Sequence, residues 1–390
     1  MCYSIWDYGT LTQKERSTGI TGRILLNGGF FFKYRIEVMK KRKTARIILS
    51  DGTTFEGFSF GTAGSTTGEV VFATGMVGYP EAFTDPSFKG QILVMTYPMV
   101  GNYGVPKGPF ESKHIQIQGL IVQDYSFDYS HADATRSLDE WLKEEKVPGI
   151  YGIDTRALTK KLREHGVMLG QIVIEGKQPV KEIEDPNERN LVAEVSIKRA
   201  STTGKGKKKI VLVDCGMKEN ILRCLVKRGV EVKRVPWNYD YNNEEWDGLF
   251  ISNGPGDPMM AKETIEHLRV AMEGKKPIFG ICLGSQLMGL AAGAKTYKLK
   301  YGHRSQNQPC IEVGTERCYL TTQNHGFAVR ESTIPSGWKL WFKNANDGSV
   351  EGIKHSKMPF WSVQFHPEAT PGPEDTEFLF DRYIDLVKKS

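Results

Sequence analysis

Pro277-Ile-Phe-Gly-Ile-Cys-Leu-Gly284 decides how the chain is read. Its first half is a short apolar run of the kind that forms a strand buried on both faces. Its second half, Gly280-Ile-Cys-Leu-Gly284, is the cysteine form of the G-x-S-x-G elbow, whose two glycines leave room for a sharp strand-to-helix turn. Such a turn lifts the Cys282 thiol out of a sheet and sets it at a helix N-terminus, where the dipole favours thiolate. The backbone N–H of Leu283 then points toward an oxyanion formed by attack of Cys282. A buried cysteine between two packing glycines fits the pentapeptide equally well, so the neighbouring segments have to decide.

Outward from this point the text alternates between strand and helix. Ile210-Val-Leu-Val-Asp214 is a continuous apolar run, and Glu231-Val-Lys-Arg-Val235 and Gly248-Leu-Phe-Ile-Ser252 add strands. Ile221, Leu225 and Val226 share a helical face, further helices fit 263–272 and the stretch after Gly284, and Leu379, Tyr383 and Leu386 stripe the last one. Strand–helix alternation over 209–388 predicts an α/β fold, a doubly wound and mostly parallel sheet. Residues 44–197 read differently. Strands are expected at 45–50, 54–60, 69–72, 91–96 and 115–122, with helices at 137–145 and 154–165, an α+β domain. The polar, basic stretch 198–208 reads as an interdomain linker; Gly204-Lys205 lacks the glycine five residues earlier that a phosphate loop needs. Residues 1–43 form an extension, with Met39, followed by Lys-Lys-Arg-Lys, as the expected natural start; Asp7 and Glu15 are awkward for a targeting peptide.

Composition narrows the function. The 390 residues are 39% hydrophobic and 25% charged with a net charge of +6, too mild for a dedicated nucleic-acid binder. No apolar run approaches the ~20 residues of a membrane span. The six cysteines contain no C-x-x-C pair, and no H-E-x-x-H occurs, so neither a disulfide framework nor a metal site is expected, and the chain reads as reduced and cytoplasmic.

Trp361-Ser-Val-Gln-Phe-His-Pro-Glu368 settles what Cys282 does. In an extended segment residues i and i+2 project to one side, so Glu368 can fix the tautomer of His366 while the other ring nitrogen serves the thiol as base and then acid. Ser252-Asn-Gly-Pro-Gly-Asp-Pro258 follows an apolar strand without a phosphate-loop pattern; its glycines suit close backbone approach to a small ligand. Thr321-Thr-Gln-Asn-His-Gly-Phe327 reads either as a turn between strands or as a segment whose Asn324 and Gly326 suit a polar ligand held by backbone and amide.

Through these four motifs the chain resembles the class I (triad) glutamine amidotransferases, and more narrowly the small, glutamine-hydrolysing subunit of carbamoyl-phosphate synthetase. Asp51-Gly-Thr-Thr-Phe-Glu-Gly57, Gly78-Tyr-Pro-Glu81, Thr84-Asp-Pro-Ser87, Thr96-Tyr-Pro98, Gly101-Asn102 and Gly152-Ile-Asp-Thr-Arg156 extend the resemblance from about Lys43 to the end. The resemblance implies that Cys282 attacks glutamine to give a γ-glutamyl thioester and ammonia, with His366 transferring protons and Glu368 orienting it. It places glutamine contacts on Ser87, Gly254, Gly256, Leu283, Gln286, Asn324, Gly326 and Phe327, near a domain interface. It implies no cofactor in this chain. ATP and magnesium are expected on a separate large subunit that makes carbamoyl phosphate from bicarbonate, for pyrimidines and arginine, within an oligomer of heterodimers. A non-catalytic regulatory subunit and a stand-alone γ-glutamyl cysteine hydrolase are the alternatives. Ser285 stands where the family most often has histidine, and His303 and His325 are given no proton-transfer role.

Overall fold

The computed structural model describes residues 43–390, so the expectations about the extension and Met39 lie outside the described residues. The first strands close on themselves. β1 (Thr44–Leu49), β2 (Thr54–Gly61), β3 (Thr66–Ala73), β4 (Gln91–Met95), β5 (Gly119–Ile121), β6 (Pro148–Tyr151) and β7 (Met168–Ile174) form a barrel in the order β1-β7-β3-β4-β5-β6-β2. Pairing is parallel along β3-β4-β5-β6 and antiparallel elsewhere. Ile47, Val70, Ile92, Val94, Ile121 and Ile172 fill one cluster, which α3 (Thr155–His165) covers with Leu158 and Leu162 after α1 (Tyr79–Thr84) and α2 (Leu138–Glu144) have packed elsewhere. Ser137 caps α2 with a capping box to Glu140, and Asp154 caps α3 through Ala157 N.

The strand expected over 115–122 is shorter. Only Gly119–Ile121 is strand: Gln116 donates its N–H to Phe83 O of α1 and Gln118 to Gln91 O at the very start of β4, where the ladder begins. The basic linker also changes character. After the short α4 (Leu191–Val195), β8 (Ser201–Thr203) pairs antiparallel with the outer strand of the following sheet, so part of the stretch is an edge strand. All three of its residues are exposed, which leaves no hydrophobic alternation to betray it.

The second sheet holds β8 with β9 (Lys209–Asp214), β10 (Glu231–Pro236), β11 (Gly248–Ile251), β12 (Ile278–Ile281), β13 (Thr296–Glu312), β14 (Cys318–Val329), β15 (Trp338–Asn344), β16 (Val350–His355) and β17 (Phe360–Val363). Its order is β8-β10-β9-β11-β12-β17-β16-β15-β13-β14. Strands β10 through β17 in that order are parallel, the doubly wound core that the apolar runs predict. The sheet as a whole is mixed: β16, β15, β13 and β14 continue it antiparallel. Their polar-rich text, with two register shifts between β13 and β14, hides the extension from a periodicity reading. Helices α5 (Glu219–Lys227) and α8 (Phe378–Lys389) pack in one apolar layer, α6 (Lys262–Ala271) and α7 (Leu283–Ala292) in the other. Residues Lys43–Ser390 are one compact unit, and among them no helix is long and apolar enough to cross a membrane.

Candidate active site

Cys282 sits between β12 and α7 with φ +53° and ψ −105°, a strained conformation for a residue with a side chain. The flanking glycines are obligatory for steric reasons. A Cβ on Gly280 would lie 2.6 Å from Gly284 O, and one on Gly284 would lie 2.3 Å from Ile251 O. The elbow is tied down by Cys282 N donating to Val363 O at 2.8 Å and Gly284 N to Ser252 O at 3.1 Å. Leu283 is the first helical residue, so its N–H belongs to the end donors of the helix, directly beside the sulfur. Cys282 is buried, its Sγ 3.6 Å from Asn324 O. Ser285, the departure from the family pattern, is buried and donates to Ser362 Oγ at 2.9 Å, so a small hydroxyl fills this place.

His366 and Glu368 do meet, though not along a strand. The last strand stops at Val363, and the two side chains close across the following turn, with Ala369 N bonded to His366 O. His366 Nδ1 lies 2.6 Å from Glu368 Oε1, and both residues are 2% exposed. Burial alone would lower the imidazole pKa, but the Glu368 carboxylate and the Cys282 sulfur outweigh it and hold His366 up to about 10. Glu368 goes the other way: burial raises it, while Lys218 and then His366 bring it down to about 2. The Nε2 of His366 is buried without a hydrogen-bond partner, and Cys282 is a neighbour whose sulfur helps raise the ring's pKa. Loose nucleophile–base contacts of this kind tighten when substrate is seated.

Lys218, which the sequence reading missed, holds the far side of this pair. Its Nζ is 3.2 Å from Glu368 Oε1 and donates to Ala369 O at 2.6 Å; the residue is only 4% exposed. Burial opposes the ammonium, yet Glu368, Glu111 and Asp85 overcome this and keep its pKa above the ordinary lysine value. A lysine in Gly216-Met-Lys-Glu219 reads as a solvated helix entry, so no pattern could have singled it out.

Ser87, Gly254, Gly256, Cys282, Gln286, Asn324, Gly326 and Phe327 line one cavity. Leu283 lies beneath the wall instead, its side chain close enough to Gly254 that a Cβ there would sit 2.8 Å from Leu283 Cδ2. The cavity spans the joint between barrel and sheet, and Asp85 stitches that joint. Its Oδ1 accepts from Ser87 N at 2.9 Å and its Oδ2 from Asn324 Nδ2 at 2.8 Å. Asn253 continues the chain, donating to Ser87 Oγ at 2.9 Å and accepting from Lys218 N at 2.9 Å. Gln286 donates to Phe327 O at 2.8 Å. Glu69 and Lys298, ion-paired at 2.6 Å, and Arg304 complete the polar wall. The arrangement is a buried sulfur beside end-of-helix donors, an imidazole oriented by a carboxylate, and a polar pocket for a small molecule. It can carry out acyl transfer through a thioester.

Comparison with known proteins follows the two halves of the structure. Residues 211–386 match the family described as glutamine amidotransferase class-I, and residues 47–172 match the carbamoyl-phosphate synthase small chain, CPSase domain. The chain is 52% identical over 362 residues to the human protein named carbamoyl-phosphate synthase [ammonia], mitochondrial, covering 90% of this chain and 24% of that protein. It is 51% identical over 384 residues to multifunctional protein pyr-3 of Neurospora crassa, covering 87% of this chain and 21% of the relative. Multifunctional protein URA2 of Saccharomyces cerevisiae is also 51% identical over 384 residues, with 87% of this chain and 17% of the relative covered. The chain thus spans a quarter or less of the length of these relatives.

Proposed function

Since the chain belongs to the class-I glutamine amidotransferases, and within them to those with a carbamoyl-phosphate synthase small-chain domain, we propose that it hydrolyses glutamine and delivers the ammonia to carbamoyl-phosphate synthesis. The observation that carries this reading is the buried grouping of Cys282, on its strained elbow, with His366 and Glu368 beside one polar cavity.

In the proposed sequence, Cys282 Sγ gives its proton to His366 Nε2 and attacks the glutamine side-chain carbonyl. The oxyanion is met by the N–H groups at the start of α7 and in the Gly254–Gly256 turn. Collapse of the tetrahedral adduct breaks the C–N bond, and His366 protonates the leaving nitrogen, which departs as ammonia. The same imidazole then takes a proton from water, whose oxygen displaces the thiolate and releases glutamate. Glu368 keeps the imidazolium favourable throughout, and Ser87, Gln286, Asn324, Gly326 and Phe327 hold the substrate.

Carbamoyl phosphate formation needs bicarbonate and ATP with magnesium. Those belong to a synthetase module beyond residues 43–390, a large subunit or a further segment of a longer chain, as the greater length of the relatives supports. A reducing compartment, the cytoplasm in the simplest case, suits the five described cysteines, all free. Supply of carbamoyl phosphate to pyrimidine and arginine synthesis completes the proposal.

The word ammonia in the human relative's name favours a second reading, a regulatory subunit that no longer uses glutamine. The complete Cys282-His366-Glu368 grouping favours the first. A glutamine-mimicking electrophile should label Cys282, and Cys282→Ala, assembled with the synthetase, should lose glutamine-dependent synthesis while added ammonia still supports it. Full glutamine-dependent turnover by that variant would exclude the assignment.

A further inference from the structure

Strands β13, β14 and β16 carry a cluster that the proposed chemistry leaves unused. His303 and His325 face each other across the β13–β14 ladder, ring centroids 4.9 Å apart and nearly perpendicular, and Glu351 reaches both from β16. All three are buried. With both rings neutral, their hydrogen bonds assign the ring protons. His325 Nδ1 is 2.8 Å from Phe327 O, which only accepts, so its Nε2 carries a lone pair. That lone pair faces two more acceptors, Gln323 Oε1 at 3.1 Å and Glu351 Oε1 at 3.9 Å. His303 Nε2 donates to Asp347 Oδ2 at 2.9 Å, which turns Nδ1 toward the same Gln323 Oε1 at 2.9 Å and Glu351 Oε1 at 3.4 Å. The Gln323 amide nitrogen is engaged elsewhere, by Thr321 Oγ1 and Cys310 Sγ, so its oxygen points inward. Independently, Glu351 Oε2 is buried without any hydrogen-bond partner. Asn344 Nδ2 at 3.3 Å and Ser349 Oγ at 3.4 Å donate to Glu351 Oε1 from its outer side, so between the rings the converging acceptors repel one another unless a proton on His303 Nδ1 or a cation joins them.

We propose that His303 Nδ1, His325 Nε2 and the Glu351 carboxylate, with Gln323 Oε1 as fourth donor, bind a first-row divalent cation of the zinc type. The candidate atoms of the two histidines and Glu351 all lie within 4.8 Å of one another. The donor separations of 2.9, 3.1, 3.4 and 3.9 Å bracket the ~3.3 Å edge of a tetrahedron with metal bonds of ~2.0–2.1 Å. Two imidazoles among the donors favour such an ion over magnesium or calcium, which take oxygen shells. Each histidine is already oriented by a partner on its other nitrogen, Asp347 for His303 and Phe327 O for His325, the arrangement that ligating histidines need. The donors come from three strands rather than one linear motif, which is why their spacing in the sequence gives no sign of a metal. The ion would clamp those strands beside Asn324, Gly326 and Phe327, a structural role with no coordination position left for substrate.

The test uses the full chain purified without chelator, with metal content measured by mass spectrometry and Co2+ titrated into chelator-treated protein. One ion per chain and the visible bands of tetrahedral Co2+ are expected. Glu351→Gln and His303→Gln should abolish both. Asp347→Asn, at a partly exposed position outside the ligand set, should keep the fold and weaken Co2+ binding ~10–100-fold. Folded wild-type chain that takes up neither Zn2+ nor Co2+, or an Asp347→Asn chain that binds as tightly as wild type, overturns the proposal; the cluster is then held by a proton on His303 instead.

Discussion

Lys218→Met replaces the buried ammonium behind Glu368 with an apolar chain of similar length. At 3.2 Å the Lys218–Glu368 pair is worth roughly 5 kcal/mol of attraction at an effective dielectric of ~20. Both side chains are almost fully buried, so water does not screen the loss, and breaking such a pair costs about 3–5 kcal/mol of stability. Glu111 and Asp85, which also face Lys218, lose their cation too, though Glu111 keeps Arg223 at 2.7 Å. Lys218 is the leading cause that holds Glu368 at about 2, so without it the carboxyl titrates much higher and takes a proton at moderately acid pH. A neutral Glu368 no longer supports the imidazolium of His366, which falls from about 10. Glutaminase rates measured from pH 5 to 9 should therefore show an acid limb displaced upward, with a loss of ~100-fold on its acid side where Glu368 is neutral. Urea unfolding should show the stability loss directly. A Lys218→Met chain within about 1 kcal/mol of wild type, with an unchanged pH profile, would show that Lys218 does not hold Glu368 ionised.

Other consequences are equally concrete. Gly284→Ala drives a Cβ to 2.3 Å from Ile251 O, a backbone atom that cannot yield, so melting should show a loss of ~3 kcal/mol or more together with loss of glutamine use. Ser285→Ala removes one buried hydrogen bond to Ser362 and should cost about 1 kcal/mol in unfolding experiments while leaving kcat within about twofold. Asp85→Asn leaves one acceptor oxygen for two donors, so either Ser87 N or Asn324 Nδ2 faces an NH2 group, and KM for glutamine should rise ~10-fold with a smaller change in kcat. The raised pKa of His366 stabilises the fold below the unfolded value of ~6.5, and this contribution is lost as pH rises through about 10. His366→Asn should accordingly flatten the alkaline part of a stability-against-pH curve.

Local chemistry was legible where a residue's neighbours in sequence are also its neighbours in space. The apolar run Ile210–Val213 predicts a central parallel strand, and Gly280–Gly284 predicts the elbow, because both depend on adjacent residues. His366 and Glu368 are two positions apart and meet, but through a turn after β17 rather than along a strand. What escaped depends on distant partners. Barrel closure requires β1 to pair with β7 more than a hundred residues later, and no periodicity encodes that. The edge strand Ser201–Thr203 has no buried face, and the polar text of β13 and β14 looks like loop until their ladder is seen. Lys218, Asp85 and Asn253 sit in segments whose own patterns describe caps and turns; only their convergence on Glu368, Ser87 and Asn324 shows their role.

Rapid mixing of the synthetase-assembled protein with glutamine, followed by acid quench and peptide mass analysis, reaches the centre of the account. A γ-glutamyl adduct on the peptide holding Cys282, absent from Cys282→Ala and accumulating in Glu368→Gln, is the predicted result. Glutamine consumption without any adduct at Cys282, or an undiminished rate in Cys282→Ala, would contradict it.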